Sequence, residues 1–343
     1  MGRLLDVVSV RHVARRAGVS VGTVSNVMNH PEKVSPATVM KVSAAIDALG
    51  FVRNDAARQL RDGRSKAIGL VVLDVRNPFF TDLARGAEDA AARAGLTLIL
   101  GNSDEDPRRE SNYLDLFEQQ RVHGLLISPY LDITSRLVRL RERGIAAVLV
   151  DRPSNENTFS SVSVDDVAGG RLAVEHLIAQ GRRRIAFIGG PADIRQVADR
   201  LEGARRAIAV NPDVTIEVVN VPGLTVVAGR DAGSTLLSRQ RSQRPDGIFA
   251  ANDLVALGVL QALTLHDEKL IVPDEVALIG YDDIDFAAAA VVPLSSIRQP
   301  SALMGQTAVE ILIEEAANPT IAARQIVFQP ELVVRLSTRR PDR

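Results

Sequence analysis

Residues 9–35 of the chain, SVRHVARRAGVSVGTVSNVMNHPEKVS, contain two short amphipathic helices joined by a tight turn. Gly18 ends the first helix, because glycine tolerates the positive φ that a tight turn requires. Ser20 is suited to cap the second helix, because its hydroxyl can accept a hydrogen bond from an unpaired backbone amide. The apolar residues of the first helix recur at the spacing of one helical face: Val10, Val13, Ala14 and Ala17.

A third helix follows with clear start and stop signals. Ser35 is suited to its N-cap, Pro36 to its first position, and Gly50 follows its last turn. Two helices joined by a turn that contains glycine form a helix-turn-helix, whose second helix enters the major groove of DNA. The apolar positions of the third helix are spaced to close a small core: Val39, Val42, Ala45, Ile46 and Leu49.

The charge distribution supports a nucleic-acid partner for this end of the chain. The 343 residues carry a net charge of −1, but residues 1–66 hold 11 Lys and Arg against 5 Asp and Glu. The remaining residues hold 30 against 37. A basic end on an acidic body is typical of a chain that places one end on a polyanion. On charge alone, a chance imbalance of surface residues stays an alternative.

The segment after the third helix, FVRNDAARQLRDGRS at residues 51–65, predicts a short hinge helix and a linker. Asn54 is suited to cap the helix, and Arg58 projects away from its apolar positions. So short a helix is unstable alone, because its nucleation costs more than a few turns return. We therefore expect it to fold only when a partner supplies contacts.

The remainder of the chain alternates short apolar runs with amphipathic helical stretches. Seven runs have the length and composition of buried strands: 67–73, 96–101, 124–128, 146–150, 184–189, 247–251 and 276–280. This alternation predicts doubly wound parallel α/β sheets, and about 280 residues suit two lobes better than one. The expected domains are a helix-turn-helix head at 1–53, the hinge and linker at 54–65, and an α/β body at 66–343.

Polar residues follow most of these strands, at the carboxyl ends where α/β sheets bind ligands. A single Asp after a strand usually caps the next helix. Recurrence after successive strands favours a polar cleft between two lobes over independent caps. The residues are Asp74, Asn77, Ser103, Asp104, Asp151, Arg152, Asn252, Asp253, Asp282 and Asp283.

Together these segments resemble the lactose-repressor/galactose-repressor (LacI/GalR) family of transcription regulators. The resemblance begins at the helix-turn-helix and continues in order through the hinge and the body. Its body motifs are DVRNPFF, GNSDEDP, VDRP, SVDD, HLIAQGRRRIAFIGGP, RLEGARRA, AANDLVALG, IGYDD and SIRQP. The resemblance implies a body like that of periplasmic binding proteins, with an N-subdomain at 66–164 and 295–326 and a C-subdomain at 165–294 and 327–343.

For DNA binding, the resemblance implies that residues 20–29 lie in the major groove and that Val21, Gly22 and Asn26 face the bases. Many relatives have Arg, which prefers guanine, where Asn26 stands; Asn pairs with adenine, so we expect a shifted operator preference. In the hinge, Asn54 and Arg58 are expected to contact DNA. The other polar residues of the head are expected to cap helices or contact phosphates: Ser20, Thr23, Ser25, Asn29 and Ser35.

The resemblance also implies a role for one leucine of the hinge. Leu60 is expected to wedge into the minor groove at the operator centre, where an apolar side chain unstacks a base step and bends the duplex. The alternative is that Leu60 is a buried leucine of the linker.

For the cleft, the resemblance implies a small-molecule effector bound between the subdomains. Carboxylates accept hydrogen bonds from sugar hydroxyls and Phe rings pack against sugar carbons, so a sugar or sugar derivative is favoured. Arg195 with Arg200 suits a phosphate, a carboxylate or a purine equally well, so a corepressor of that kind stays an alternative. The expected effector contacts are Phe79, Phe80, Asp151, Arg200, Asn252, Asp282 and Gln299.

We expect a homodimer on a pseudo-palindromic DNA operator, because one helix-turn-helix makes too few base contacts for tight specific binding. The final residues RLSTRRPDR carry no heptad extension, which favours a dimer over a coiled-coil tetramer. No stretch suits a bilayer span or a secretory signal, and Cys is absent, so we expect a cytoplasmic, nucleoid-associated protein with no membrane partner.

Catalysis is not expected. The sequence has no dinucleotide-binding, P-loop, nucleophile-elbow or zinc-protease motif, and its 5 His are scattered. We therefore expect a transcriptional repressor that uses no cofactor and no metal. A solute-binding protein with the same two-lobed fold is the alternative, although it would lack both the head and the hinge.

Overall fold

The computed structural model describes residues 8–51, 65–154, 158–265 and 270–339. The chain forms two compact units, residues 1–64 and residues 65–343. The hinge positions Asn54, Arg58 and Leu60 lie outside the described residues, so their assignments stay predictions. Within the described ranges, no helix is both long and apolar enough to span a bilayer.

The head contains three helices, α1 (Val10–Ala17), α2 (Val21–Asn29) and α3 (Pro36–Leu49). Gly18 ends α1 with φ 68° and Gly50 ends α3 with φ 59°, both in the left-handed region that glycine tolerates. The predicted helix-turn-helix is therefore confirmed. Each helix contributes a fully buried valine to one core: Val13, Val24 and Val42.

The first lobe of the body is built on a six-stranded parallel sheet. Its strands are β1 (Ala67–Val72), β2 (Thr97–Asn102), β3 (Gly124–Ile127), β4 (Ala146–Val150), β5 (Ser160–Val164) and β11 (Gln325–Phe328). They lie in the order β11-β5-β4-β3-β1-β2. Its helices are α4 (Pro78–Arg93), α5 (Pro107–Gln119), α6 (Thr134–Glu142) and α12 (Ser301–Ala317).

The second lobe repeats this plan. Its strands are β6 (Arg184–Gly189), β7 (Thr215–Asn220), β8 (Gly247–Ala250), β9 (Ala277–Asp282), β10 (Ser295–Arg298) and β12 (Glu331–Val333). They lie in the order β12-β10-β9-β8-β6-β7, and only β12 is antiparallel to its neighbour. Its helices are α7 (Asp166–Ala179), α8 (Arg195–Ala209), α9 (Val226–Leu237), α10 (Asp253–Leu265) and α11 (Asp285–Ala288).

The two sheets have corresponding strand orders, so β1–β4 of the first lobe match β6–β9 of the second. The chain passes between the lobes three times, after β5, after β10 and after β11. The predicted fold of two doubly wound subdomains is confirmed. Both sheets are covered by helices on their two faces, which explains why most of their inner strands are continuous apolar runs.

Two predicted subdomain limits are wrong. Residues 295–298, assigned to the first subdomain, form β10 and pair with β9 in the second. Ser295 and Ser296 are buried there, and the backbone amide of Ser295 donates to Ser337 Oγ at 2.7 Å. These serines conceal the strand from a search for apolar runs. The limit predicted after residue 326 falls inside β11, which pairs with β5 in the first lobe.

Candidate effector and DNA-binding sites

The exposed face of α2 carries the residues predicted to read bases. Ser20 caps the helix as expected, since its Oγ accepts from the Thr23 amide at 3.0 Å. Val21, Gly22 and Asn26 are all exposed. The exposed face of the helix thus carries one amide side chain, one small apolar side chain and one position without a side chain, and their contact with bases stays a prediction.

Two other polar residues of the head are engaged within their own helices. Asn29 Nδ2 donates to the main-chain oxygen of Ser25 at 2.9 Å and to its Oγ at 3.2 Å. Ser35 Oγ pairs with Thr38 Oγ1 at 2.9 Å and makes no hydrogen bond to a backbone amide of α3. These bonds stabilise the helix ends, and contacts of Ser25, Asn29 and Ser35 with phosphates stay predictions.

A second candidate site is the cleft between the two lobes of the body, with a volume of about 440 Å³. This volume includes space that is open to solvent. The lining residues follow strands of both lobes or begin the next helix. They are Leu73, Asp74, Asn77, Phe79, Phe80, Glu105, Asp151, Ile194, Gln196, Arg200, Leu224, Asn252 and Asp282.

Arg200 is buried at the centre of the polar part of this cleft. Its Nε donates to Asp166 Oδ1 at 2.8 Å and its Nη1 to the main-chain oxygen of Ala251 at 2.7 Å. Its Nη2 lies 3.7 Å from Asp282 Oδ1. Burial lowers the pKa of Arg200, but the charges of Asp166 and Asp282 outweigh it, so the guanidinium stays charged.

The close packing of α7 and α8 brings Arg200 to Asp166. A Cβ at Gly170 would collide with the main-chain oxygen of Arg200, and a Cβ at Gly203 would collide with that of Val167. Glycine at both positions therefore allows the two helix backbones to touch. The contact places the first turn of α7 beside the guanidinium that α8 carries.

Asp282 ends β9 in the left-handed region, with φ 100°. Its Oδ2 accepts from Asn77 Nδ2 at 2.9 Å and its Oδ1 from Gln299 Nε2 at 2.7 Å. Gln299 does not line the cleft, so its position fits a residue that orients Asp282 better than one that contacts an effector. Burial raises the pKa of Asp282, and Arg200 opposes the rise.

Asp151 follows β4, also with a positive φ, 57°. Gln196 Nε2 donates to its main-chain oxygen and to its Oδ2, each at 2.7 Å. Its Oδ1 is buried and has no hydrogen-bond partner among the described residues. Burial raises the pKa of Asp151, and the charge of Asp166 adds to the rise. The cleft therefore contains one carboxylate oxygen that a ligand donor can satisfy.

Asn252 and the phenylalanines complete the predicted set. Asn252 Oδ1 accepts from the Val255 amide at 2.9 Å, so this side chain caps α10 as well as lining the cleft. The rings of Phe79 and Phe80 lie edge to face with centroids 5.0 Å apart. With Leu224 of the other lobe they form an apolar wall beside the carboxylates.

The cleft is acidic. Among the lining residues that the structure describes, four are Asp or Glu and only Arg200 is basic. Arg195, which the sequence suggested as a partner for an anion, does not line the cleft. Its Nε donates to Asp199 Oδ2 at 3.0 Å on the outer face of α8. The structure therefore does not bring Arg195 into the cleft beside Arg200.

Two important residues were not among the predicted contacts. Asn77 was noticed only as a polar residue after β1, although its place before PFF makes it the N-cap of α4. Gln196 lies in the first turn of α8, where no strand end marks it. Its one signal in the sequence is its spacing of four residues from Arg200, which puts both on one face of a helix.

A helix-turn-helix head on a body with a ligand cleft between two lobes defines a ligand-responsive DNA-binding regulator. Residues 9–54 match the family described as bacterial regulatory proteins, lacI family, and residues 174–338 match the periplasmic binding protein-like domain. The chain is 35% identical to the ribose operon repressor of Escherichia coli K12 over 331 residues, 95% of this chain and 98% of that protein. The chain therefore belongs to the lacI family, and it is a DNA-binding repressor with a small-molecule effector.

Other relatives agree with this assignment. The repressor PurR of Aliivibrio fischeri MJ11 is 32% identical over 336 residues, 96% of this chain and 98% of that protein. The lac repressor dimer bound to operator and the anti-inducer ONPF has a TM-score of 0.80 at 27% identity, covering 96% of this chain and 99% of that one. A LacI family regulator of Enterococcus faecium with bound ribose has a TM-score of 0.72 at 27% identity, covering 79% and 98%.

Proposed function

We propose that the effector is a neutral pentose, with D-ribose as the first candidate, and that its binding in the cleft changes the affinity of a homodimer for a pseudo-palindromic operator. The effector contacts are Asp151, Arg200, Asn252 and Asp282 with the wall of Phe79 and Phe80. Gln299 supports Asp282. No catalytic step forms part of this function.

The observation that carries the proposal is the free oxygen of Asp151. Gln196 occupies the Oδ2 atom, whereas Oδ1 is buried without a partner among the described residues. A buried acceptor that lacks a donor costs about 1–3 kcal/mol, and a ligand hydroxyl that donates to it recovers that cost. Sugars carry such hydroxyls at neighbouring carbons, and their C–H faces suit an aromatic wall.

The charge of the cleft favours a neutral ligand. Arg200 is paired with Asp166 and lies beside Asp282, so its charge is already balanced. An added phosphate would meet Asp151 and Glu105 without a free cation among the lining residues described, and Asp74 is already paired with Arg76. Like charges in a desolvated site repel strongly, which disfavours a phosphorylated metabolite.

The names of two relatives support a pentose in particular. The ribose operon repressor is the relative at 35% identity, and the Enterococcus faecium regulator was solved with ribose. PurR at 32% identity is the reason to test purine bases in the same experiment. The homodimer is supported by the lac repressor, which was solved as a dimer on its operator, and by the twofold symmetry that half-sites require.

Isothermal titration of the full-length protein with D-ribose, D-ribose 5-phosphate and hypoxanthine tests the proposal. D-Ribose is expected to bind, and the phosphate ester is expected to bind at least 100-fold more weakly or not at all. Asp151→Asn should weaken D-ribose binding by about 10- to 100-fold, because an amide has a single acceptor oxygen, which Gln196 already occupies, and the loss of the second acceptor costs about 1–3 kcal/mol.

Asp89→Asn is the matched control. Asp89 is an exposed carboxylate on α4 that pairs only loosely, at 3.8 Å, with Arg85, so D-ribose affinity should stay unchanged. Tight binding of hypoxanthine or of the phosphate ester in place of D-ribose would reject a neutral pentose as the effector.

A further inference from the structure

The matching strand orders of the two lobes place equivalent residues on opposite sides of the cleft. Asn77 and Gln196 each begin or enter the helix that follows the first strand of their lobe, β1 and β6. Asp151 and Asp282 each stand at the end of the fourth strand, β4 and β9, with positive φ. Each lobe therefore offers one amide side chain and one carboxylate to the other.

The amides and carboxylates pair across the cleft in both directions. Asn77 of the first lobe donates to Asp282 of the second at 2.9 Å. Gln196 of the second lobe donates to Asp151 of the first, to Oδ2 and to the main-chain oxygen, each at 2.7 Å. All four residues are at least nine-tenths buried, with exposures of 9%, 6%, 6% and 4% for Asn77, Asp282, Gln196 and Asp151.

We propose that these two reciprocal bonds form a latch that closes the lobes, and that Gln196 is the positioning residue through which the latch sets effector affinity. All partners of the latch are protein groups, so the bonds can form with or without an effector. Hydrogen bonds from amides to buried carboxylates are stronger than those between neutral groups. Two such bonds, at equivalent places in the two lobes, resist both opening and twisting.

Gln196 is a better position than Asn77 at which to test the latch by substitution. Asn77 Oδ1 also accepts from the Phe79 amide at 3.1 Å, so its replacement disturbs the start of α4. Among the described residues, Gln196 donates both of its side-chain hydrogen bonds to Asp151, and both leave Asp151 Oδ1 free. Gln196 therefore affects the closure of the lobes and the orientation of Asp151, in addition to lining the cleft.

The apparent affinity for the effector should rise with the fraction of molecules whose lobes are closed. If an effector binds the closed lobes, its apparent dissociation constant equals the intrinsic constant divided by the fraction of molecules that are closed. Loss of the Gln196 bonds lowers that fraction before any effector is added. The inference concerns the lobes themselves and does not depend on D-ribose being the natural effector.

Distances between two spin labels, measured by pulsed electron-electron double resonance, test the latch directly. The chain has no Cys, so two introduced cysteines carry the only labels. Glu88→Cys on α4 and Ala198→Cys on α8 place one label on an exposed position of each lobe. Gln196→Met keeps the volume of the side chain and removes its donors. Gln196→Glu sets a carboxylate against Asp151 and should open the lobes further at pH 8.

Without ligand, the labelled parent is expected to show one dominant short distance. Gln196→Met should at least halve the population at that distance, and Gln196→Glu should lower it more. D-Ribose should restore the short distance in Gln196→Met, with a dissociation constant at least fivefold above that of the parent. Gln306→Met is the matched control, because Gln306 makes a surface bond to Glu310 at 2.8 Å, and it should match the parent.

Two results would overturn the latch. One is a parent protein that shows only a long distance without ligand. The other is a Gln196→Met distribution that coincides with the parent, whatever the effect on D-ribose binding. A protein that closes as described but ignores D-ribose would instead reject the proposed effector and leave the latch standing.

Discussion

The guanidinium carbon of Arg200 lies 3.7 Å from the centre of the Tyr281 ring, so the cation stacks on an aromatic face at the floor of the cleft. The same guanidinium holds Asp166 and lies near Asp282. One buried cation therefore balances carboxylates on two different structural elements, α7 and β9. This arrangement makes Arg200 important for stability as well as for the effector.

Arg200→Met should destabilise the body by about 3–5 kcal/mol, because it leaves buried carboxylates without their cation. Urea unfolding followed by circular dichroism measures the change. Arg195→Met, on the same helix, is the control, since Arg195 is a partly exposed residue paired with Asp199 and should cost less than about 1 kcal/mol. Equal losses for the two variants would contradict the role given to Arg200.

Asp253 should make the stability of the body depend on pH. Its carboxylate is fully buried, accepting from Ser296 Oγ at 2.7 Å and from the Ile284 amide at 2.9 Å. Burial, and then the charge of Asp282, raises its pKa well above the ordinary value of 3.8. The folded state thus holds a proton that the unfolded chain releases, so this contribution to stability is complete below pH 3.8 and is lost as the pH rises through the folded pKa.

Asp253→Asn removes that dependence while keeping one acceptor for Ile284 and one donor for Ser296. The variant should gain stability relative to the parent as the pH rises from 4 to 8, by about 1.4 kcal/mol for each unit of raised pKa. Urea unfolding at pH 5, 6, 7 and 8 measures the difference. A difference that stays constant over this range would show that Asp253 does not titrate as described.

Asn26→Arg should change which operators are selected from random duplex DNA. Asn26 is exposed on α2, and exchange of its amide for a guanidinium should replace a preference for adenine by one for guanine at a single base pair. Ser43→Arg adds the same charge at an exposed position of α3 and should leave the selected sequence unchanged. An identical consensus for Asn26→Arg and the parent would count against base contact by Asn26.

Leu60→Ala tests the hinge, which is a prediction from the sequence alone. Loss of an intercalating leucine should weaken specific operator binding by about 1–3 kcal/mol, because the bend that brings both heads to their half-sites is less favourable. D-Ribose affinity should not change. Fluorescence anisotropy of labelled operator and calorimetry of ligand binding measure the two affinities. An unaltered operator affinity would contradict the role of Leu60 as a wedge in the minor groove.

The sequence predicted the elements whose signal is local. The head followed from caps and glycines such as Gly18 and Gly50, and seven of the strands from runs of apolar residues. Five strands escaped: β5, β7, β10, β11 and β12. Of these, β5 and β10 are buried and rich in serine. Their burial depends on partners distant in sequence, such as Ser337 for Ser295, and no local pattern encodes those partners.

The cleft residues divide in the same way. Asp151 and Asp282 stand at the ends of strands, so topology alone predicts that they border the same cleft. The role of Gln196 cannot be predicted before α8 is packed against α7, because that role depends on the direction in which one side chain crosses the cleft. The sequence suggested Arg195 as a cleft residue for the same reason. Its position on the helix relative to Arg200 turns its side chain outward, toward Asp199.

The affinity of the full-length protein for its selected operator, measured by fluorescence anisotropy with and without saturating D-ribose, is the most direct measurement of the central claim. The dissociation constant is expected to change at least tenfold with D-ribose and to stay constant with D-ribose 5-phosphate. In Asp151→Asn that response should require about 10- to 100-fold higher concentrations of D-ribose. D-Ribose that occupies the cleft and leaves operator affinity unchanged would contradict the account.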